Sequence, residues 1–248
     1  MNNKELVVNR FKAVREMGFV KSNRIDNTGI GKTFEDLMGV AENNLDAPDL
    51  AGYEIKSHRD DSASYVTLFT KAPSFPKGAN NYLKDKFGVP YDDNPALNRL
   101  HVSMFANQFN SCYKKYAVKL INDRQAQVVK IGFFDIETHK LIDDIVRYNY
   151  NIIDQILHRK LKELFYVTAE RQYIGADEYF HFTSADIYSE LSLDKFLELL
   201  DEGLIMYDIR IGSYKTGKNM GKAHDHGSGF RMLEHNVKLL YENHEIIE

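Results

Sequence analysis

Apolar residues recur along the chain at two spacings, and the switches between those spacings mark out its elements. Val7, Phe11 and Val14 lie three or four apart, and Gly18 follows as a natural stop, so residues 4–17 are predicted as a first helix. Residues 30–40 predict a short helix with Phe34, Leu37 and Met38 on its apolar side and Glu35 carried along with it. Residues 53–57 alternate, with Tyr53 and Ile55 pointing to a core and Glu54 and Lys56 sharing the other face. Tyr65–Thr70 is the next strand, expected as the hairpin partner of residues 54–58 across a turn at 59–64. Its alternation assigns Thr67 and Phe69 to one face and Val66, Leu68 and Thr70 to the other. Residues 82–111 mix turns with short polar segments and predict little.

Farther on, residues 116–121 and 127–134 read as strands, continuing through a turn near Thr138 to Leu141 and Ile142. A helix is expected over 145–162, carrying Ile152, Ile156 and Leu161. Residues 164–169 are almost continuously apolar, as a strand covered on both faces would be. A short strand is expected at 179–182, and a helix over Leu193–Asp201, ended by Gly203. Residues 204–214 alternate, with Ile205, Tyr207, Ile209 and Ile211 inward and Met206, Asp208, Arg210 and Gly212 outward. A last helix is expected near 233–241. The alternation of helical and strand segments predicts a mixed α/β fold.

With 248 residues, 43% hydrophobic and 27% charged, the chain can bury a sizeable core and has the composition of a soluble globular protein. No apolar run reaches the length of a membrane span, and the polar start Met-Asn-Asn-Lys-Glu does not read as a signal peptide. Cys112 is the only cysteine, which excludes an internal disulfide, suits a reducing cytoplasm and favours an incidental thiol over a nucleophile. The net charge of −4 does not advertise nucleic-acid binding, but distribution decides that question, not the total.

Chemistry concentrates in Pro48-Asp49, four residues, then Glu54-Ile55-Lys56. Asp49 would sit just before the strand, within reach of Glu54. Two neighbouring carboxylates repel, so a positive group belongs between them, and oxygen ligands suit a hard divalent cation. Mg²⁺ holds water and acidifies it, so that a water can attack phosphorus, with Lys56 positioning that water or stabilising the developing charge. This is the PD-(D/E)xK nuclease pattern. Asp, Glu and Lys are common, and the triplet alone also describes an ordinary solvated hairpin. A helix placing Glu35 against the same strand makes the nuclease reading more specific.

Other signals weigh less. Gly29-Ile-Gly-Lys-Thr33 looks like half of a P-loop, yet the position where a Walker A glycine belongs is Asp26, and no buried strand precedes it. His101 and Asn107 read as surface or structural residues. Lys71 and Lys77, in a proline-stiffened segment after the second strand, could meet phosphates or merely be solvated. His224-Asp225-His226 could suggest zinc, but no cysteine is near and four ligands are lacking. DNA reading uses more of this region: arginine donates to guanine O6 and N7, aspartate accepts from cytosine N4, and histidine donates to guanine. Asp208, Arg210, His224, Asp225, His226 and Arg231 form such a set, interleaved with Lys215, Lys218 and Lys222.

Two runs carry a resemblance. TGIGKTFEDL…NNLDAPDL…YEIKSH…TLFTKAPSFPKGAN, followed in order by DIRIGSYKTGKNMGKAHDHGSGFRM, is similar to the MvaI/BcnI family of type II restriction endonucleases, relatives of the MutH nickase. The resemblance spans nearly the whole chain, with the middle third most divergent. It implies a restriction-endonuclease-like mixed sheet flanked by helices in one domain over 1–248. A catalytic lobe mainly in 1–170 and a recognition lobe mainly in 171–248 would close around duplex DNA. It implies Asp49, Glu54 and Lys56 as the catalytic triplet, Glu35 as the additional acid, and the Ile55 carbonyl completing a Mg²⁺ site with Asp49 and Glu54. The base-reading residues fall on Asp208, Arg210, His224, Asp225, His226 and Arg231, with Tyr214 as a further DNA contact. It also implies a bacterial cytoplasmic enzyme cutting a CC-x-GG site as a monomer, one strand at a time, alongside a cognate DNA methyltransferase. The likeness is greatest to the member that reads A or T at the centre. A MutH-like nickase and a catalytically dead DNA-binding module are the alternatives.

Overall fold

The structure is a computed structural model that describes residues 2–24, 29–40, 49–59 and 64–247. Pro48, the first part of the expected loop 43–52, the centre of the expected turn 59–64 and the expected turn residues 27–28 lie outside the described residues. The chain divides into two compact units, each assembled from separated segments: 1–64, 156–192 and 234–248 in the first, 65–155 and 193–233 in the second.

The chain begins in the first unit with α1 (Asn3–Glu16), β1 (Val20–Lys21), α2 (Gly29–Leu37) and β2 (Glu54–Arg59). A capping box starts α1: the Asn2 side chain accepts from the Glu5 N–H, and Glu5 reaches back to the Asn2 N–H. In the second unit come β3 (Tyr65–Thr70), α3 (Ala79–Phe87), β4 (Val89–Pro90), β5 (Asn98–Met104), β6 (Asn110–Cys112), β7 (Tyr116–Asp123), β8 (Val128–Asp135), β9 (Leu141–Asp143) and β10 (Arg147–Asn149). The chain returns to the first unit along α4 (Tyr150–Lys160) and lays down β11 (Glu163–Ile174) and β12 (Asp177–Leu191). The second unit then gains α5 (Leu193–Asp201), β13 (Ile205–Ser213), β14 (Ala223–Asp225) and β15 (Gly229–Leu233). A 3-10 helix, Glu234–Leu240, and β16 (Tyr241–Ile247) complete the first.

In the first unit the sheet runs β1-β12-β11-β2, with β16 also on β12. β11 pairs in parallel with β2, so that Leu164 faces Glu54 and Tyr166 faces Lys56. One face of this sheet is the core, where Ile55, Phe165, Val167, Phe180 and Phe182 pack with Phe11 of α1 and Phe34 of α2. The expected near-continuous burial of 164–169 is what a central strand requires.

Several expectations are corrected. β3 is not the hairpin partner of β2; it pairs with β15 in the second unit. Its alternation also breaks, because the pairing skips Leu68, so Leu68 and Phe69 are both buried. The helix expected from 145 starts at Tyr150, since 147–149 pair with β8 and bury Tyr148. The short strand expected at 179–182 is fifteen residues long, because β11, β1 and β16 all pair with it. The last expected helix is the 3-10 turn, with Glu234, Val237 and Leu240 buried at a spacing of three, and a strand follows it. The little-read stretch 82–111 contains most of α3 and all of β5.

The second unit has two sheets, β3-β15-β13-β5-β4 with β14 on β13, and β10-β8-β7-β6 with β9 on β8. Its core is aromatic: Phe230 packs against Phe69, Tyr148, Phe196 and Tyr207. Gly229 permits close approach of β15 to β3, since a Cβ there would lie 2.4 Å from the Phe69 carbonyl oxygen. Gly203, at φ 77°, ends α5 in the left-handed region. Among the described residues no helix is long and apolar enough to cross a membrane.

Candidate active site and reading face

In the first unit, β2 turns Ile55 into the core and leaves Glu54 and Lys56 on the opposite face. Asp49 is held at the start of this strand because its Oδ2 accepts from the Ile55 N–H at 2.8 Å. Glu54 is only 1% exposed. Its Oε1 takes a short hydrogen bond from the Lys56 ammonium and lies 3.7 Å from Lys160 Nζ, while its Oε2 is buried without a hydrogen-bond partner. Burial raises the Glu54 pKa, the two lysines pull it down, and Asp49 pushes it up, for a net rise. Burial works against the Lys56 charge, but Glu54, Asp49 and Glu35 outweigh it, so the ammonium is held more firmly than in water. Glu35, on α2, therefore lies within electrostatic reach of the expected triplet. The Ile55 carbonyl is 3.4 Å from Lys56 Nζ.

These groups fit a divalent cation. The donors are all oxygen, two are carboxylates that repel one another, and one buried carboxylate oxygen lacks a partner. The polar face continues to His58, which stacks on Tyr166 at 4.5 Å and has Nε2 3.2 Å from Thr168 Oγ1. Its Nδ1 is 3.6 Å from Glu234 Oε1. The half P-loop Gly29–Thr33 is the opening of α2, not a phosphate cradle.

One stability consequence follows. A carboxyl whose pKa is raised on folding favours the folded state most below the ordinary value of 4.5, and that advantage is lost as pH rises through the raised value. Glu54→Gln keeps the shape and removes the charge. In metal-free buffer the variant should melt above the wild type at neutral pH, with the gap closing as pH falls. Thermal unfolding with a chelator present, from acid to neutral pH, checks this; a gap that widens toward acid would refute the burial account.

In the second unit, β13 sets Asp208 and Arg210 on one face, and its neighbours add to it: Ser103 opposite Asp208 and His101 opposite Arg210 on β5, Arg231 on β15. Asp208 is buried and acts as the hub. Its Oδ2 accepts from Arg210 Nε at 2.5 Å and lies 3.1 Å from Arg231 Nε; its Oδ1 accepts from Ser103 at 3.0 Å. Arg231 is further held, donating to Thr67 Oγ1 and to the Gly227 carbonyl at 2.8 Å. The Arg210 side chain is 50% exposed, whereas that of Arg231 is 13% exposed. A cavity of about 670 Å³ on this face is lined by His101, Ser103, Asn110, Asp208, Arg210 and His226 among others.

β14 brings the histidines beside it. Tyr214 stacks on His224 at 4.1 Å, and His224 lies 4.1 Å from His226, whose N–H bonds the Arg210 carbonyl. Asp225 Oδ1 accepts from the Gly227 and Ser228 N–H groups, and its Oδ2 accepts from Asn80 at 2.6 Å, so this carboxylate shapes the turn that presents His226. Lys71 lines a small hollow with Asp225 and Ser228, and Lys77 is exposed nearby in sequence. Lys215 pairs with Asp93 at 2.8 Å and lies over the Tyr91 ring, Lys222 bonds Asn219, and Lys218 is exposed. The sequence reads His101 as a surface or structural residue and gives no sign of Ser103 or Lys160; strand pairing and the end of α4 bring all three beside the candidate residues.

Known proteins resemble this chain over nearly its whole length. The sequence profile of the MvaI/BcnI restriction endonuclease family matches residues 8–241. A structure titled "Restriction endonuclease MvaI-cognate DNA substrate complex" superposes with a TM-score of 0.88 at 33% identity, covering 100% of both chains. "Restriction endonuclease MvaI in the absence of DNA" gives 0.68 at 34% identity, covering 100% of this chain and 98% of that one. No curated protein sequence matches. The fold is thus restriction-endonuclease-like, and the chain belongs to the MvaI/BcnI restriction endonuclease family, as a type II site-specific deoxyribonuclease.

Proposed function

We propose that this enzyme cuts both strands of duplex DNA at a CC-x-GG site, using Mg²⁺ held by Asp49, Glu54 and the Ile55 carbonyl. The observation that carries the catalytic assignment is the buried Glu54 with an unpartnered oxygen, beside Asp49 and between two lysines. The cation supplies Lewis acidity toward the phosphate and makes a water more acidic. Lys56 positions the attacking water and stabilises charge developing on the phosphate oxygens. Glu35 orients water from the α2 side. We assign cutting to the first unit and reading to the second. Asp208, Arg210, His224, Asp225, His226 and Arg231 read base edges, and Tyr214, Lys71, Lys77, Lys215, Lys218 and Lys222 contact the backbone. Of these, Arg210 is the most exposed of the Asp208-held donors, and Asp225 acts through the turn it shapes.

A bacterial cytoplasmic location and a partner methyltransferase belong to the same reading. Digestion of unmethylated phage DNA with Mg²⁺, followed by sequencing of the fragment ends, tests the site. The enzyme is proposed to act as a monomer with one active site. A supercoiled plasmid carrying one site should therefore pass through a nicked circle before becoming linear. Synchronous cutting with a rate rising as the square of enzyme concentration would exclude the monomer, and a reaction that stops at the nicked circle would favour the MutH-like alternative.

A further inference from the structure

α4 ends in His158-Arg159-Lys160, and Leu161-Lys162 follows. Cations in the last turn of a helix commonly do no more than complement its dipole. Three observations go beyond that. First, the run is fixed in place: Leu161 is buried, its N–H bonds the Leu157 carbonyl at 2.8 Å, and its own carbonyl accepts from the buried Tyr241 hydroxyl at 2.9 Å. Two residues beyond Lys162, Leu164 pairs with Glu54, so the register of β11 on β2 sets the run beside the catalytic carboxylate.

Second, Lys160 points to that carboxylate, 3.7 Å from Glu54 Oε1, but loosely and with its side chain 26% exposed. Lys56 already makes the short bond to the same oxygen. A second ammonium is not needed to hold Glu54 and remains accessible from solvent. Third, Arg159 and Lys162 line a groove of about 490 Å³ with Lys4, Gly52, Tyr53 and Glu163 beside the start of β2, and its three cations outnumber its one carboxylate. The run thus carries positive charge both beside Glu54 and along a groove at the start of the same strand, which suits a phosphodiester backbone better than any single anion.

We propose that Arg159–Lys162 binds the backbone of the strand being cut. Lys160 contacts a non-bridging oxygen of the scissile phosphate, and Arg159 and Lys162 hold the phosphates next to it. This inference rests on Glu54 marking the catalytic centre.

The test uses the full-length enzyme with Lys160→Met, Lys160→Arg, the double variant Arg159→Ala/Lys162→Ala, and Glu54→Ala as control. Duplex binding is measured without divalent ions across a salt series, and single-turnover cleavage across a Mg²⁺ series. The double variant should bind cognate and non-cognate duplexes more weakly alike, with the salt slope reduced by about two. Lys160→Met should lower the slope by about one. At saturating Mg²⁺ it should slow cleavage by about 10- to 100-fold, with no lower Mg²⁺ requirement. Lys160→Arg should restore the slope and most of the rate, which a failure of Lys160→Met to fold would not explain.

The inference is overturned if the slopes are unchanged. It is equally overturned if the only effect of Lys160→Met is a lower Mg²⁺ requirement, the mark of a lysine that merely competes with the metal for Glu54. If Glu54→Ala still cuts, the catalytic assignment itself has failed; if it is inactive while the lysine and arginine variants behave as wild type, only this inference has.

Discussion

Asp49→Ala and Glu54→Ala should each abolish cleavage while leaving sequence-specific binding, measured with Ca²⁺ in place of Mg²⁺, largely intact. Each removes a carboxylate from a site whose chemistry needs concentrated negative charge to hold a cation. Losing metal-ion stabilisation of the transition state costs several kcal/mol, or about a thousandfold in rate or more. The two variants should differ in what they do to the fold. Asp49 Oδ2 anchors the Ile55 N–H, so Asp49→Ala loosens the start of β2. Glu54→Ala removes a buried charge but leaves Lys56 and Lys160 facing each other without it. Lys56→Ala should also abolish cutting, with both carboxylate ligands still present. Single-turnover cleavage of a labelled cognate duplex checks all three, and near wild-type cutting by either carboxylate variant would place the active centre elsewhere.

Arg210→Ala should cost about 1–3 kcal/mol of discrimination at one base pair, because a planar guanidinium matches guanine O6 and N7 as no other side chain does. Arg231→Ala should show the same signature with an added loss of stability, since its other nitrogens serve Thr67 and Gly227. Asp208→Ala should be the most damaging of the three. It removes the carboxylate that accepts from Arg210 and pairs with the charge of Arg231, and leaves their like charges together on one sheet face. Discrimination should then fall at two base pairs instead of one. Lys218→Ala and Lys222→Ala, as backbone contacts, should weaken all sequences equally and flatten the salt dependence by about one charge each. Binding to CC-x-GG duplexes and to single-pair variants across a salt series separates these outcomes. If Arg210→Ala and Arg231→Ala weaken cognate and altered duplexes equally, these arginines position the backbone.

Local pattern was enough for those features that depend on neighbours along the chain. The period of two places Glu54 and Lys56 on one strand face with Ile55 opposite, and the structure has them so. The same holds for Asp208 and Arg210 on β13, and for α1, whose apolar spacing leaves one buried side. The two long motif runs were also sufficient to indicate the family. Strand partners were another matter. Nothing in residues 54–70 says that β2 pairs in parallel with β11, more than a hundred residues away, while β3 pairs with β15. A hairpin is the cheaper guess because its loop is short, but β11 is a central strand, with β12 on one edge and β2 on the other.

Long-range pairing also decides which residues join each site. His101 and Ser103 lie in a stretch with no readable period, and they join the proposed reading face only because β5 is the neighbour of β13. Lys160 reads as an ordinary helix-end cation until β11 is set in register against β2. Asp225 reads as one acceptor among several until the backbone N–H groups of its own turn are seen to occupy it. Side-chain direction within a strand or helix is a matter of backbone geometry over a few residues, which sequence determines. Register and sheet order are settled by the burial of distant apolar faces against one another, and only the tertiary structure decides them.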